Sequence, residues 1–298
     1  MVVNAMQVWI IADVRKGGIP SVVAEMTSLG HALGAQGPAP HVRLVVFAEK
    51  ADDGVAQLFG RFGADEVCWL CNEGFEQAGY ETFADVLVDL AAEGAPDVLL
   101  LADGPFGRDV ASCFAAKTGA RFSSDVVAME ACDGVLTLKR EPYFGKVIET
   151  ACYPVDGGVL VATIRPKTQE AIEVSSDAVP QISCRMVETP RELALAIIET
   201  THLTSERPSL SEADYVVAGG RGVGGREGFA LLEELADVLG AAVGGTRPTV
   251  DGGWIDRHLQ IGQTGKSIAP KVYFAFGISG SILFEVVPQL TAALREIG

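Results

Sequence analysis

The sequence predicts an α/β protein of two domains, each built on a parallel sheet. The chain has 298 residues, which exceeds the usual size of one domain and favours about two. Short apolar runs alternate with amphipathic ones, and this alternation is interrupted near residue 124 and restarts near residue 214. Short buried strands between helices are typical of parallel sheets covered on both faces. We therefore predict an N-terminal domain over 1–205 and a doubly wound C-terminal domain over 206–298.

The first part of the chain predicts four strand–helix pairs. Each strand is a short apolar run, and each helix carries apolar residues at helical spacing. In chain order the strands are QVWIIADV, HVRLVVFAE, EVCWL and PDVLLLAD, and the helices that follow them are PSVVAEMTSLGHALGAQ, DGVAQLFGRFG, YETFADVLVDLAAEG and GRDVASCFAAKTG.

From about Ser124 the pattern changes to strands separated by DG and DGG. These turn sequences indicate antiparallel hairpins added to the parallel sheet. The polar run THLTSERPSLSEA then predicts a linker or crossing segment. Beyond it the chain predicts, in order, strand YVVAGG, helix REGFALLEELADVLG ending at Gly240, strand AAVGG, a long glycine-rich loop, strand KVYFAFGISG and helix VPQLTAALREIG.

Composition excludes several classes of protein. The formal net charge is −16, and Lys and Arg are outnumbered 23 to 39 by Asp and Glu, which argues against binding nucleic acid. The longest apolar runs, such as DVLLLADG, fall well short of the ~20 residues that a bilayer requires. At the N-terminus the basic residues follow the apolar run, the reverse of a secretory signal. We expect a protein without membrane insertion, cytoplasmic or, in a eukaryote, in the mitochondrial matrix.

The six cysteines do not form a metal or disulfide pattern. Only Cys68 and Cys71 lie close together, in a predicted strand where positions three apart face opposite sides. We expect buried, reduced cysteines that pack as small apolar residues.

Two glycine-rich turns are the candidate binding loops. The first, Gly220-x-Gly222-x-x-Gly225, lies between a predicted strand and helix, where turn amides and the helix N-terminus could hold an anion. It matches a dinucleotide fingerprint, although no acidic residue follows at the position that would bind ribose. A nicotinamide-dependent oxidoreductase and a purely structural turn with a solvated Arg221 both remain open.

The second turn region is the loop GGTRPTVDGGWIDRHLQIGQTGK. Thr246 and Arg247 supply a hydroxyl and a planar cation, and Arg can hold phosphate or lie against a ring. The GQTGK end lacks the leading strand and glycine spacing of a phosphate-binding P-loop. Small donors beside glycines could instead bind the edge of a flat heterocycle; a surface loop is the alternative.

Other polar residues give weaker signals. His31, His41 and His202 have no nucleophile pattern around them, and we expect them to be solvated or structural. Asp103, Arg108 and Asp109 follow a predicted parallel strand, where α/β proteins bind ligands, but a helix cap would explain Asp109 equally well. No catalytic residue and no metal site is predicted.

The succession GGRGVGGREGF, LADVLGAAVGGTRPTVDGGWIDRHLQIGQTGKSIAPKVYFAFGISGSI closely resembles the flavin-binding domain of the alpha subunit of electron-transfer flavoproteins. The stretches VWIIADVRKGGIPSVVAEMTSLGHAL, GRDVASCFAAKTGARFSSDV and REPYFGKVIETACYP resemble the N-terminal domain of the same subunit. The resemblance therefore covers nearly the whole chain.

This resemblance implies a bound FAD. It places Arg221 by the pyrophosphate, Thr246 and Arg247 by the isoalloxazine ring, Gln263 and Thr264 on the ring edge, and Ser279 on a phosphate. A cation beside the ring stabilises added negative charge and raises the reduction potential. The full set of cofactor-binding residues that it implies is Arg221, Gly222, Thr246, Arg247, Gln260, Gly262, Gln263, Thr264, Gly265, Gly277, Ser279 and Gly280.

One stretch departs from the family pattern. After Ile282 the family continues with a glutamine–histidine pair and a segment of about 30 residues that holds the adenosine, roughly one βαβ unit. Here Leu283 and Phe284 stand in place of the pair, and the chain passes directly to LFEVVPQLTAALREIG. His258, in the preceding loop, is expected to be an ordinary loop histidine.

The resemblance implies an electron carrier and not an enzyme. It would be the alpha subunit of a heterodimer with an electron-transfer flavoprotein beta subunit, taking electrons from dehydrogenases through FAD. The departure after Ile282 leaves one alternative of another class, a scaffold subunit that has lost its flavin.

Overall fold

The computed structural model describes residues 5–14, 20–34, 39–174, 178–188, 197–199, 207–262, 264–266 and 268–278. The chain divides into two compact units, residues 1–200 and 201–298. The functional division into an N-terminal assembly domain (1–205) and a C-terminal FAD-binding domain (206–298) stays a prediction.

The first unit is a nine-stranded sheet between helices. Its strands are β1 (Gln7–Asp13), β2 (His41–Ala48), β3 (Glu66–Cys71), β4 (Val98–Ala102), β5 (Arg121–Cys132), β6 (Val135–Arg140), β7 (Glu149–Pro154), β8 (Leu160–Ile164) and β9 (Gln181–Met186). Its helices are α1 (Ser21–Ala32), α2 (Asp53–Gly60), α3 (Tyr80–Gly94), α4 (Pro105–Thr118) and the short α5 (Pro142–Gly145). The strand order is β7-β6-β5-β8-β4-β1-β2-β3-β9, and the four predicted strand–helix pairs are confirmed.

Side chains of the central strands alternate between two buried layers. In β1, Val8 and Ile10 pack in the layer that contains α1 and α2, whereas Trp9 and Ile11 pack in the layer that contains α3 and α4. A strand covered on both faces needs apolar residues at every position, which explains the unbroken apolar run.

The DG prediction is confirmed, and the DGG prediction is wrong. Asp133 and Gly134 both have positive φ, 51° and 75°, and join β5 to the antiparallel β6 in a tight hairpin. The sequence Asp156–Gly158 ends β7 differently: β8 leaves the hairpin and inserts between β4 and β5, parallel to both. Every residue of β8 is buried, so this strand is stable in the middle of the sheet and not at its antiparallel edge.

The expectation of six buried cysteines is wrong for part of the set. Cys68 and Cys71 are buried, on opposite faces of β3 as predicted. Cys113 is partly exposed, and Cys132, Cys152 and Cys184 are exposed. All six are free thiols. The exposed ones lie on β5, β7 and β9.

The second unit has a three-stranded parallel sheet in the order β11-β10-β12. Its elements are β10 (Tyr215–Gly219), α6 (Arg226–Leu239), β11 (Ala242–Gly245), α7 (Arg247–Asp251) and β12 (Val272–Phe276), with single 3₁₀ turns at Arg221–Val223 and Arg257–Leu259. Gly240 ends α6 in the left-handed conformation, as its position after the helix predicts. The predicted C-terminal helix, VPQLTAALREIG, lies outside the described residues.

The segment predicted as a linker is not wholly one. Leu210 and Ala213, near its end, are 2% and 3% exposed and pack beside Val216 and Ala218 of β10. These two residues pack on one face of the small sheet, while Phe229 and Leu232 of α6 pack on the other. Two apolar residues in a polar run gave no periodic signal, so the sequence did not reveal them.

The described part of the chain contains no helix long and apolar enough to cross a bilayer.

Candidate functional site

Three loops meet at the carboxyl edge of the small sheet. β10 lies between β11 and β12. The chain passes from β10 to β11 on one side and then crosses to β12 on the other side, so the strand order reverses at β10. The loops that leave the three strands begin at Gly220, Thr246 and Gly277. In open α/β sheets, ligands bind at such a reversal point, beyond the carboxyl ends of the strands. This edge is therefore the candidate site of the second unit.

The first glycine turn is tied to its neighbours by its own amides. Gly220 N–H donates to the Phe276 carbonyl at 2.8 Å, and Gly222 N–H donates to the Gly277 carbonyl at 2.9 Å. Within the turn, Val223 and Gly224 donate to the carbonyls of Gly220 and Arg221. These four turn amides therefore already have acceptors within the protein, and the predicted binding of an anion by this turn stays a prediction.

The N-terminus of α6 is different. Gly225, at its N-cap, has no side chain, and the helix has no side-chain capping bond. The first amides of an α-helix have no partner inside the helix and favour an anion. Arg221 and Arg226 are both exposed beside this end. Arg226 Nε donates to the Gly253 carbonyl at 2.9 Å, which ties the first turn to the second loop.

Thr246 and Arg247 begin the second loop directly after β11. Thr246 N–H donates to the Gly219 carbonyl at 3.0 Å, which fixes the residue beside β10. Its hydroxyl makes no capping bond to α7. Arg247 is an exposed side chain whose Nε lies 3.4 Å from Asp251 Oδ2, one turn further along α7. A hydroxyl and a weakly paired cation thus stand together at the sheet edge.

Thr264, Gly265 and Lys266 fold back on Gln260. Gln260 is 6% exposed, and its Nε2 donates to Thr264 Oγ1 at 2.7 Å. Ile261 N–H donates to the Gly245 carbonyl at 2.9 Å, and Lys266 N–H donates to the Gln260 carbonyl at 2.8 Å. A side chain at Gly265 would collide with that carbonyl. Because Thr264 Oγ1 accepts from Gln260, its proton is free to be donated outward.

The structure thus brings most of the implied residues to one edge. Gln263, Ser279 and Gly280 lie outside the described residues, as do Leu283, Phe284 and His202. His258 is exposed on its 3₁₀ turn. His31 is exposed on α1 and His41 is the first residue of β2, so neither is part of this edge.

The polar residues after β4 form a closed cluster in the first unit. Asp103 accepts two bonds from Arg108 Nε, at 2.9 and 3.1 Å, and one from Thr163 Oγ1 at 2.7 Å. The bond from Arg108 raises the pKa of its guanidinium. Asp109 is not a helix cap: α4 begins four residues earlier, at Pro105, with Gly104 at its N-cap. Asp103 and Arg108 therefore already satisfy one another.

The sequence does not predict how two residues contribute to the site. Gly220 was noted only as part of a fingerprint, yet a side chain there would collide with the Gly277 carbonyl. Arg226 was assigned to the helix, but its guanidinium links two loops. A basic residue directly after a glycine fingerprint was the available signal for Arg226; nothing local marked the partner of Gly220.

A parallel sheet with a glycine turn, an uncapped helix N-terminus and cations at its reversal point defines a nucleotide-cofactor-binding α/β domain. Comparison with known proteins specifies the class. Residues 209–286 match the family model of the electron transfer flavoprotein FAD-binding domain, and residues 8–185 match that of the electron transfer flavoprotein domain.

Individual relatives agree with these matches. The electron transfer flavoprotein subunit alpha of Syntrophomonas wolfei is 37% identical over 276 residues, which cover 92% of this chain and 84% of that protein. The Bacillus subtilis subunit alpha is 32% identical, with 93% and 83% covered. Protein FixB of Clostridium saccharobutylicum is 31% identical, with 92% and 82% covered. The chain belongs to the electron transfer flavoprotein family, as an alpha subunit, and FAD is the cofactor of its C-terminal domain.

The described residues fit that cofactor. The pyrophosphate of FAD is an anion, and the edge offers an uncapped helix N-terminus with Arg221 beside it. The flavin ring needs flat space and hydrogen-bond donors. Gly253 and Gly262 leave open space where a side chain would stand, while Thr246, Arg247 and Thr264 supply donors at the same edge.

Proposed function

We propose that this chain carries electrons from dehydrogenases to an acceptor through FAD bound at the carboxyl edge of β11-β10-β12, within a heterodimer with a beta subunit. The convergence of three loops on this edge is the observation that carries the proposal. Bound FAD supplies the redox chemistry. The chain itself transforms no substrate, and its residues bind the cofactor and set the charge around it.

At the phosphate end, the first amides of α6 and the Arg221 guanidinium hold the pyrophosphate. The helix dipole places partial positive charge at this end. The amides of Gly220 and Gly222 do not contact phosphate; they hold the first turn against the loop after β12. Gly222 and Gly277 therefore act by positioning.

At the ring end, Arg247 places a positive charge beside the flavin and stabilises negative charge added on reduction. Thr264 Oγ1 accepts a hydrogen bond from Gln260 Nε2, so its hydroxyl proton can be donated to the ring edge. Gly262 and Gly265 lie in the same loop as Thr264. The family resemblance assigns Gln263 to the ring edge, Ser279 to a phosphate and Gly280 to the cofactor-binding set.

Two alternatives have less support. A nicotinamide enzyme would need an acidic residue for the ribose at the end of the second strand, and β11 ends at Gly245 without one. A flavin-free scaffold was suggested only by the sequence after Ile282, and no described residue favours it.

The test is the visible spectrum of the chain co-expressed and co-purified with a beta subunit, with extraction and identification of the cofactor. We expect flavin absorbance at close to one FAD per alpha site. Arg221→Ala should lower FAD occupancy. Lys271→Ala is a matched control: Lys271 is an exposed cation of the same unit, paired with Asp214 at the opposite edge of the sheet. A stable but colourless wild-type heterodimer would contradict the proposal.

A further inference from the structure

Two thiols lie side by side on neighbouring strands of the first unit. The Sγ atoms of Cys71 in β3 and Cys184 in β9 are 3.5 Å apart. The strands run parallel with Trp69 opposite Cys184 and Cys71 opposite Met186. The two cysteines are therefore diagonal neighbours on one face of the sheet.

The two thiols differ in environment. Cys71 is 2% exposed, within the apolar layer under α1 and α2. Cys184 is exposed on the outermost strand of the described sheet. A solute can thus reach the Cys184 sulfur, and the Cys71 sulfur lies close enough to react with it.

We propose that Cys71 and Cys184 are a reversible disulfide site, oxidised by thiol exchange with a small-molecule disulfide of the glutathione class. Exchange starts at the accessible sulfur and ends at the buried one. This inference concerns the first unit and is independent of the flavin site.

The reaction balances in two exchanges. The Cys184 thiolate attacks one sulfur of the small disulfide, forms a mixed disulfide and releases one thiolate. Cys71 then loses its proton to solvent and attacks the Cys184 sulfur, which forms the Cys71–Cys184 bond and releases the second thiolate. The protein loses two electrons and the small disulfide gains them. Excess reduced thiol reverses both steps.

The geometry requires a modest movement. A disulfide has sulfurs about 2.05 Å apart, so the two atoms must approach by roughly 1.5 Å from their observed separation. Because the two cysteines are diagonal neighbours, rotation of their side chains is not enough, and one strand must also shift. β9 is bonded to β3 alone among the described strands, which leaves its other side free to adjust.

The buried member sets the rate of closure. Burial, and the bond with Cys184, raise the pKa of the Cys71 thiol to about 11. Only its thiolate attacks, so the thiolate fraction and the closure rate should rise about tenfold per pH unit near neutrality. Proximity compensates for the small thiolate fraction because the attack is intramolecular.

The test is oxidation of the purified full-length chain, in its heterodimer, with oxidised glutathione at about pH 8, followed by alkylation and peptide mass mapping. We expect the peptides that contain Cys71 and Cys184 to become cross-linked to each other, so that neither of these two thiols is alkylated. Cys132 and Cys152 are internal controls. Their sulfurs lie beside Asp133 Oδ2 and Thr137 Oγ1, which cannot resolve a mixed disulfide.

Variants identify the partner. Cys71→Ser should abolish the cross-link and leave glutathione on Cys184, whereas Cys68→Ser, on the other face of β3, should retain the cross-link. Dithiothreitol should restore both thiols. A wild-type chain that stops at glutathionylated Cys184, or leaves Cys184 unmodified, overturns the proposal. A cross-link that persists in Cys71→Ser does so too.

Discussion

The Gly222 amide donates a hydrogen bond to the Gly277 carbonyl at 2.9 Å, and a Cβ placed on Gly222 would lie 2.8 Å from the Gly277 Cα. Gly277 itself has φ of 62°, in the left-handed region. The two loops that leave β10 and β12 are therefore in backbone contact, with no room for a side chain between them. The position of the first glycine turn depends on this contact.

Gly222→Ala should separate these loops. Overpacking of this kind costs about 1–3 kcal/mol, and we expect lower FAD occupancy at equal yield of the heterodimer. Flavin absorbance per protein and urea unfolding followed by circular dichroism measure the two effects. Gly104→Ala is the control, because Gly104 has extended φ of 172° and nothing within 4 Å of the added Cβ. Equal flavin content in Gly222→Ala and wild type would refute the packing argument.

Most strands and helices of both units follow from the sequence because their signals are local, although α7 lies within a segment predicted as a loop. A run such as Val98–Ala102 is too short for a buried helix and uniformly apolar, so it predicts a strand covered on both faces. Gly240 marks a helix end by its own conformational freedom. The flavin residues followed from a resemblance, and their placement at one edge follows from the parallel order of the strands.

Features that depend on distant partners were not predictable. The position of β8 depends on its neighbours β4 and β5, which lie elsewhere in the sequence. The same holds for Gln260, which pairs with Gly245 of β11 when the loop folds back. The pairing of Cys71 with Cys184 joins residues 113 positions apart.

Glu25 should make the stability of the first unit depend on pH. Burial raises the pKa of this carboxyl, and a bond from Lys167 N–H at 2.8 Å opposes the shift without cancelling it. The folded chain then binds the proton more tightly than the unfolded chain. This contribution to stability is fully present below the unfolded pKa, about 4.3 for Glu, and is lost as pH rises through the folded pKa.

Glu25→Gln removes the ionisation but keeps an acceptor for Lys167 N–H. We expect the free energy of unfolding of the variant to increase relative to that of wild type as pH rises from about 4 to about 7, because only wild type loses stability over this range. Urea unfolding at several pH values measures this slope. Glu130→Gln, at an exposed glutamate of β5, provides the comparison. A pH-independent difference between Glu25→Gln and wild type would show that the buried carboxyl does not titrate as inferred.

Arg165 should contribute more to stability than an exposed ion pair. It binds Asp125 with two bonds, at 2.9 and 2.8 Å, and Glu141 with a third at 2.7 Å. Asp125 has φ of 59°, a conformation that these bonds help to hold. Arg165→Ala should lower the free energy of unfolding by about 1–3 kcal/mol. Lys117→Ala breaks an exposed pair with Asp85 and should cost clearly less, because solvent screens exposed ion pairs. Equal losses in chemical denaturation would argue against a special role for Arg165.

Arg247 and Asp251 should shift the flavin potential in opposite directions. Arg247 Nε and Asp251 Oδ2 lie 3.4 Å apart on one turn of α7. Because both side chains are exposed, the interaction energy of each charge with an added electron on a ring a few ångströms away is roughly 1 kcal/mol or less. For one electron that energy corresponds to at most ~40 mV. Arg247→Met removes a cation and should lower the potential of bound FAD, whereas Asp251→Asn removes an anion and should raise it.

Both potentials are measured by reductive titration against a reference dye, with Lys271→Met expected to leave the potential unchanged. Shifts of the same sign in the Arg247 and Asp251 variants would indicate a general loosening of the loop, and the assignment of Arg247 to the ring would then be wrong.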